Sequence, residues 1–497
     1  MRKLTAVRHV LVVLLLAALG CSNANVAMSP ASVLPGERAK NHTRSAVFAN
    51  VSLPQESTSS RVQSDRTVGP IESPQTTPDQ IPALPKDKNE VFVGLALSGG
   101  GSRSANFAAA CMFQLQRTGL LQHVDYISSV SGGSVAAAYY CTSGQEWNPA
   151  AAQAKLTQGF ASGLIGRTFL PWNLLAFYFS DWDRSDVLAG VFRDTLFNRD
   201  GRELTYADLR PDRPRLLINS TDLQSGRRFV FCNEAFDELN SDLSRYPISY
   251  AVTASSAVPV ILHPVTLRDY STTFSQYRHL IDGGVADNLG IQTLVETYAA
   301  QIQSARMAGR PDPYPRGAVF IIVDAHTDFN AMLSAQSDVG VLTSLKAAAG
   351  LTGSALLNKV SSATLAETIV SYSPDEQKVK ELRAELKQLN DEGFVRLTDS
   401  SGHAVRVLYL SLNQVNGIPN LPFGGFSESL NSISTYFNIA PTEAYELYQA
   451  AEILMKHKFE ERVRGIVDEI ESRRMPATMP ATRGSMQSAK CKVQKPK

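Results

Sequence analysis

The chain has 497 residues, 43% of them hydrophobic and 19% charged, which suits an ordinary globular core and allows about three domains at roughly 150 residues each. Its 48 basic and 47 acidic side chains leave a net charge of +1, so no excess of positive charge awaits nucleic-acid phosphates. Five cysteines, none paired at zinc-ligand spacing, exclude a disulfide scaffold and a Cys-rich metal site.

The first twenty residues read as an address. Arg2, Lys3 and Arg8 precede an unbroken apolar run over 10–19, too short for a hydrocarbon core that needs about 20 residues but fitting a secretory h-region. The sequence Ala18-Leu19-Gly20-Cys21 resembles a bacterial lipobox, which implies cleavage after residue 20 and a lipid on Cys21. A plain signal peptide that happens to contain Cys21 is the alternative. Ser22 is the residue type that lets lipoproteins travel on to the outer membrane, so the expected location is the bacterial cell envelope, lipid-anchored, with a secreted or periplasmic protein as the other choice. Removing residues 1–20 takes away three basic residues and no acidic ones, and an acyl-anchored chain needs no basic patch to reach a membrane.

Of the 67 residues over 22–88, 23 are Ser, Thr or Pro and Phe48 is the only aromatic. Such a segment cannot bury enough apolar area to offset its chain entropy and is expected as a disordered tether, spanning on the order of 45 Å as a random coil. A catalytic domain is expected over 89–474, with a core at 91–330 and a C-terminal extension at 331–474. A disordered basic tail over 475–497 ends the chain.

From Val91 the character changes. The run VFVGLAL over 91–97 reads as a buried strand, closed by Ser98 and three glycines. A helix is expected over 103–118, a strand over 124–130 and a short small-residue helix over 134–140. This alternation describes a parallel sheet covered by helices. Further strands are expected at 215–220, 228–231, 318–323 and 405–412, and helices at 289–307, 375–390 and 442–471.

Two glycine turns and one aspartate carry the chemistry. Gly99, Gly100 and Gly101 stand between strand and helix, where bare N–H groups and the helix dipole favour an anion. That anion is a nucleotide phosphate or the oxyanion of an acyl transfer. Position 104 is Ser, so the dinucleotide pattern Gly-x-Gly-x-x-Gly fails, and no Gly-Lys-Ser/Thr follows for a P-loop. A merely structural turn is the bland reading.

Ser129-Val130-Ser131-Gly132-Gly133 approximates the Gly-x-Ser-x-Gly nucleophile elbow, with Ser129 in place of the first glycine. Ser128, Ser129 and Ser134 compete. Ser131 is preferred because it sits where the apolar strand stops and the glycines begin. Asp282, after Leu280-Ile281 and before Gly283-Gly284, is placed at a strand end, either as a base for a serine hydroxyl or as a turn cap.

Together, SGGGSRSA at 98–105, SVSGGS at 129–134 and DGG at 282–284 resemble, in this order, the patatin-like phospholipases, related to plant patatin and more distantly to cytosolic phospholipase A2. NSTDL at 219–223 with Gly226, and ASSAVP at 254–259, support the resemblance. It runs from about 91 to 324, with weaker support to 458. It implies a three-layer α/β/α fold with a central, mostly parallel sheet, Ser131 as nucleophile in a dyad with Asp282, and Gly99, Gly100 and Gly101 as oxyanion loop. Arg103 maps to the arginine of the glycine motif, to orient that loop or to meet a lipid phosphate. The scheme requires no metal or organic cofactor.

Ser131, Asp282 and His326 also follow the chain order Ser, Asp, His of α/β-hydrolases, although only one strand precedes the strand leading into the elbow. The aromatic run over 169–179 is expected at a lipid interface, in an acyl pocket or in the core, and 342–366 as a cap or a packing helix. Cys111, Cys141 and Cys232 lie in apolar segments and read as small hydrophobes. The expected activity is hydrolysis of acyl esters of membrane phospholipids or lysophospholipids. A non-catalytic lipid-binding envelope lipoprotein, and a serine esterase or transacylase, are the competing classes.

Overall fold

The computed structural model describes residues 22–23, 25–28, 90–171, 173, 183–259, 261–327, 384–385, 387–399, 401–435 and 437–472. Residues 1–20, Cys21, 29–88, most of the aromatic run, the expected cap at 342–366, most of 375–390 and the tail beyond 474 lie outside them.

In chain order the elements are β1 (Ser22–Asn23), β2 (Phe92–Leu97), α1 (Gly101–Arg117), β3 (Tyr126–Val130) and α2 (Gly132–Thr142). Then come α3 (Pro149–Leu156), α4 (Phe160–Thr168), α5 (Arg184–Thr195) and a small ribbon of β4 (Asn198–Arg199) with β5 (Arg202–Glu203). They are followed by β6 (Arg215–Asp222), β7 (Arg228–Phe231), α6 (Asn233–Glu238), α7 (Ile248–Ser255), β8 (Val265–Asp269), β9 (Gln276–Asp282) and α8 (Ile291–Met307). The last are β10 (Ala318–Asp324), β11 (Phe394–Thr398), β12 (Ala404–Ser411), α9 (Phe426–Ser432), α10 (Pro441–Leu454) and α11 (Glu460–Glu471). A π turn at Met455–Phe459 joins α10 to α11, where the sequence suggests one continuous helix.

The strands form one mixed sheet in the order β1-β8-β9-β6-β3-β2-β10-β12-β11, with β7 paired to β6. Its centre, from β6 through β3, β2 and β10 to β12, is parallel. Alternation along β2 explains why helices cover both faces. Val93, Leu95 and Leu97 enter one core with α1, α2, α7 and α10, while Phe92 and Ala96 enter a second core with Leu294, Tyr298 and Ile302 of α8. The fold is therefore three layers, helix on sheet on helix.

Strand β6 decides the position of the site. Its Ile218 to Thr221 pair with β7 on one edge. Arg215 to Asn219 pair with β3, and Ser220 to Asp222 pair with β9. Because β7 flanks the residues of both sets, β3 and β9 share the opposite edge and meet there end to end. Val130 lies across from Asn219 and Asp282 across from Ser220.

The expected tether does not begin at residue 22. Ser22 and Asn23 add a parallel strand to β8, opposite Val265 and Thr266. The buried Asn25 then locks the edge through both arms of its amide: its Nδ2 donates to Arg268 O at 2.7 Å and its Oδ1 accepts from Arg268 N at 2.7 Å. Ser241 Oγ donates to Val26 O at 2.6 Å, and Met28 N to Asn240 O at 2.9 Å. Composition hid this because the pairing satisfies backbone groups of an otherwise open edge, and an amide lock on a backbone has no hydrophobic signature.

Candidate active site

Strand β3 ends at Val130 and α2 starts at Gly132, so Ser131 must turn the chain within one residue. It does so at φ 49°, ψ −122°, a conformation whose Cβ crowding costs on the order of 1–3 kcal/mol. The surroundings hold it there. Ser131 N donates to Ser255 Oγ at 2.8 Å, and Ser255 Oγ donates to Asn219 O at 2.6 Å. Ser134 Oγ lies 3.0 Å from the same Ser255 oxygen. Asn219 Nδ2 donates to Ser128 Oγ at 2.8 Å and Ser129 O at 2.9 Å, and Thr293 Oγ1 of α8 donates to Asn219 Oδ1 at 2.6 Å. Ser128 and Ser134, two of the competitors for nucleophile, are thus spent on support.

Asp282 arrives from the other direction at the end of β9. Its N–H donates to Ala257 O at 2.9 Å, its carbonyl accepts from Thr221 Oγ1 at 2.9 Å, and its Oδ1 accepts from Gly284 N at 2.7 Å. The Ser131 side chain stands beside this carboxylate and acts to lower its pKa. Ser131 is 5% and Asp282 8% exposed. Burial raises the Asp282 pKa to about 6, against the lowering effect of the Gly284 N–H and the Ser131 hydroxyl. A carboxylate in that range serves as a general base near neutral pH.

The glycine loop lies over the elbow. A Cβ on Gly132 would stand 1.9 Å from Gly101 O, and one on Gly101, at φ +57°, 1.6 Å from Thr435 O, so both positions require glycine. The three glycines are not equivalent. Gly99 N donates to Asn288 O at 2.9 Å, which removes it from the set of oxyanion donors. Neither Gly100 N nor Gly101 N has such an acceptor among the described residues. Gly132 N and Gly133 N, at the start of α2, add the helix N-terminal partial charge on the other side of Ser131.

Arg103 does not face the cleft. It is buried in α1, and its Nη1 donates to Thr327 Oγ1 at 2.9 Å and to Ile433 O at 3.0 Å. Burial lowers its pKa to about 10, opposed by nearby Asp324. Of the two roles expected for it, these bonds favour the first, orienting the glycine loop, since the guanidinium is held by Thr327 and Ile433. It clamps the start of α1 to the chain after β10 and after α9. His326 follows β10, and β2 stands between β10 and β3, which sets the two strands about 9–10 Å apart at 4.7–4.9 Å per strand. The backbone N of His326 donates to Asp324 Oδ1 at 3.0 Å. The Asp282 carboxylate accepts from Gly284 N.

Asp287 of the same DGGVADN run caps α8, accepting from Leu289 N, Gly290 N and Gln292 N. Cys111 and Cys141 are buried and Cys232 half-buried, all with free thiols. Burial pushes the Cys141 thiol up to about 12 and the other two higher still, so they pack as apolar side chains. Sequence reading placed Asn219 and Ser255 in supporting segments but gave neither a task. A buried Ser–Asn pair has no spacing that marks it.

Residues 95–295 match the family model for patatin-like phospholipase. Among solved structures, the chain is similar to human group IVD cytosolic phospholipase A2 bound to methyl gamma-linolenyl fluorophosphonate, with 13% identity, a TM-score of 0.42, and coverage of 88% of this chain and 64% of that one. It therefore spans somewhat less than two thirds of that protein. VipD from Legionella pneumophila matches at 12% identity and a TM-score of 0.25, over 73% of this chain and 67% of that one. Full-length ExoU from the type III secretion system of Pseudomonas aeruginosa, in complex with SpcU, matches at 12% identity and a TM-score of 0.24, over 61% and 62%. No curated protein sequence matches. The family match covers the glycine turn from its preceding strand, the elbow and the Asp282 turn, and the chain carries a patatin-like phospholipase domain over residues 95–295.

Proposed function

We propose that the protein is a serine lipid acyl hydrolase that cleaves acyl esters of phospholipids or lysophospholipids through a Ser131–Asp282 dyad. The observation that carries this reading is the placement of the Ser131 side chain beside the buried Asp282 carboxylate, whose pKa it acts to lower, where β3 and β9 meet along one edge of β6. Asp282 takes the proton as Ser131 Oγ attacks the ester carbonyl, and a C–O bond forms to give the tetrahedral oxyanion. The amides of Gly100, Gly101 and Gly132 are the donors aimed at that charge. Collapse of the intermediate expels the alcohol, which takes the proton back from Asp282. Water then repeats the sequence on the acyl-enzyme, and the fatty acid leaves.

Among the described residues no helix is long and apolar enough to cross a membrane. Lipidation of Cys21 and residence at the bacterial outer membrane complete the proposal, supported by the lipobox resemblance. The test is acyl release from a phospholipid panel and from a short-chain ester. Ser131→Ala and Asp282→Asn are expected to lose turnover while His326→Ala keeps it. Loss in a folded His326→Ala protein defeats the dyad. Wild-type protein inert toward every ester favours a lipid-binding lipoprotein instead.

A further inference from the structure

Among the described residues, exposed large apolar side chains gather at one end of the sheet. Leu223, 53% exposed, opens the turn between β6 and β7; Val258 and Ile261 follow α7, next to the carbonyl that receives the Asp282 N–H; Val285 stands three residues past Asp282. Phe274, 81% exposed, and Tyr277 belong to the β8–β9 hairpin. Val265 lies opposite Leu280, and Leu280 opposite Asp222, the last residue of β6. The paired residues from there to Asp269 and Gln276 carry the hairpin about 13 Å beyond the end of β6, at about 3.3 Å per residue. Its tip, Tyr270-Ser271-Thr272-Thr273-Phe274-Ser275-Gln276-Tyr277, has no charge and has aromatics of the kind that settle at a membrane–water boundary.

Arg227 and Arg268 are exposed. The carboxylates on β6 and β8 are turned inward: Asp222 accepts from Gln224 N and Arg278 Nη1, and Asp269 from Ser271 N and Oγ. Glu238, next to the Leu239 carbonyl that receives Tyr270 N, is the exposed carboxylate beside the hairpin base. Strand β1 starts at the same level, since Ser22 is opposite Val265. Two strand spacings separate it from β9, which puts Ser22 roughly 12 Å from the Asp282 backbone.

We propose that this end is a membrane-docking face. Phe274 at the hairpin tip, with Leu223, Ile261 and Val285 around the cleft mouth, enters the surface layer of a phospholipid membrane, and Arg227 and Arg268 meet its phosphates. The purpose of the face rests on the lipid hydrolase reading, but its existence is measurable without turnover.

The test uses the chain from residue 21 onward carrying Cys21→Ser and Ser131→Ala, sedimented with vesicles of phosphatidylcholine and phosphatidylglycerol. Phe274→Asp is expected to lower partitioning about tenfold or more, the worth of one aromatic side chain transferred out of water. Met307→Asp is expected to leave it unchanged, since Met307 is 74% exposed at the far end of α8, where the chain returns to the start of β10. In Phe274→Trp, brominated lipid is expected to quench emission beyond the parent background. Equal partitioning of the two Asp variants, no quenching, or no vesicle binding by the parent overturns the proposal. Binding by this face in a protein that hydrolyses no ester with Ser131 restored leaves the docking face standing and removes the hydrolase.

Discussion

Replacing Asp282 by Asn is expected to stabilise the protein while abolishing turnover, and the size of the gain depends on pH. The folded chain holds this carboxyl at a pKa of about 6, against an ordinary value of 3.8. Each tenfold step in proton affinity is worth about 1.36 kcal/mol, so ionised Asp282 costs the fold about 3 kcal/mol at neutral pH. The sign follows from the raised pKa. Below pH 3.8 the group is protonated in both states and costs nothing. As pH rises, the unfolded chain ionises first and gains, and the penalty is complete once pH passes about 6. Asn keeps an oxygen for the Gly284 N–H and never carries the charge. Its advantage over Asp should be about 1.6 kcal/mol at pH 5 and about 3 kcal/mol at pH 7.5.

Urea unfolding of both proteins at these two pH values measures the difference directly, provided the slope of the transition is unchanged. A variant less stable than wild type at pH 7.5, or an advantage that does not grow with pH, refutes the picture of a carboxylate held desolvated for its task. The same group sets the activity profile. Turnover is expected to fall below a pH of about 6, as Asp282 takes the proton it must otherwise receive from Ser131.

Three further outcomes follow from the support around the elbow. Ser255→Ala leaves Ser131 N–H and Asn219 O buried without partners, which should cost about 2 kcal/mol in urea unfolding and lower kcat about 10- to 100-fold with KM nearly steady, whereas Ser255→Thr restores most of both. Gly132→Ala, whose Cβ meets the Gly101 carbonyl at 1.9 Å, should lose about 100-fold or more in kcat, while the Gly99→Ala Cβ clashes with the Asn288 Oδ1 at 2.5 Å, a side-chain end that can rotate, and otherwise makes ordinary contact with Ser131 Cβ at 3.4 Å and Val130, and should lose less than about tenfold. Arg103→Lys cannot reach Thr327 and Ile433 with one fork, so thermal or urea unfolding should show a loss of about 2 kcal/mol; a raised KM for phospholipid alone, at unchanged stability, would return Arg103 to the cleft.

The parts of the fold that were legible in the sequence are those whose environment is one-dimensional. Strand β2 is buried on both faces, so it reads as an unbroken apolar run, and β3 ends where its glycines begin. The expected strand at 318–323 and helix at 289–307 agree with β10 and α8 to within two residues. The β8–β9 hairpin was not legible as such, because VTLRD and QYRHLID alternate weakly and the loop between them has no Gly or Pro. The role of Gly99 was not legible either: three adjacent glycines look alike, and only the Asn288 carbonyl distinguishes one of them. Nor could the sequence choose between the two roles of Arg103, since its two acceptors, Thr327 Oγ1 and Ile433 O, lie more than 200 residues away along the chain.

The end-to-end meeting of β3 and β9 explains how the proposed dyad can work from two residues. With a histidine between them, a serine and an acid can tolerate some misplacement, because the ring spans the gap and can rotate. A direct pair has no such slack: the carboxylate must stand at hydrogen-bond distance from the serine oxygen in the resting fold. Register brings the two strand ends together. Val130 is opposite Asn219 and Asp282 opposite Ser220, so the two ends lie one residue apart along a strand that neither belongs to. A slip of β9 by one residue would move Asp282 about 3.3 Å and turn its side chain to the other face of the sheet. The Asp282 N–H on Ala257 O and the Thr221 hydroxyl on Asp282 O oppose that slip from both sides. Ser255, the last residue of α7, ties the same helix end to Ser131. One short stretch, from Ser255 to Ala257, thus fixes Ser131 and Asp282, the proposed nucleophile and base, together, and the strained turn at Ser131 persists because its relaxation would break the bonds that also hold Asp282 in place.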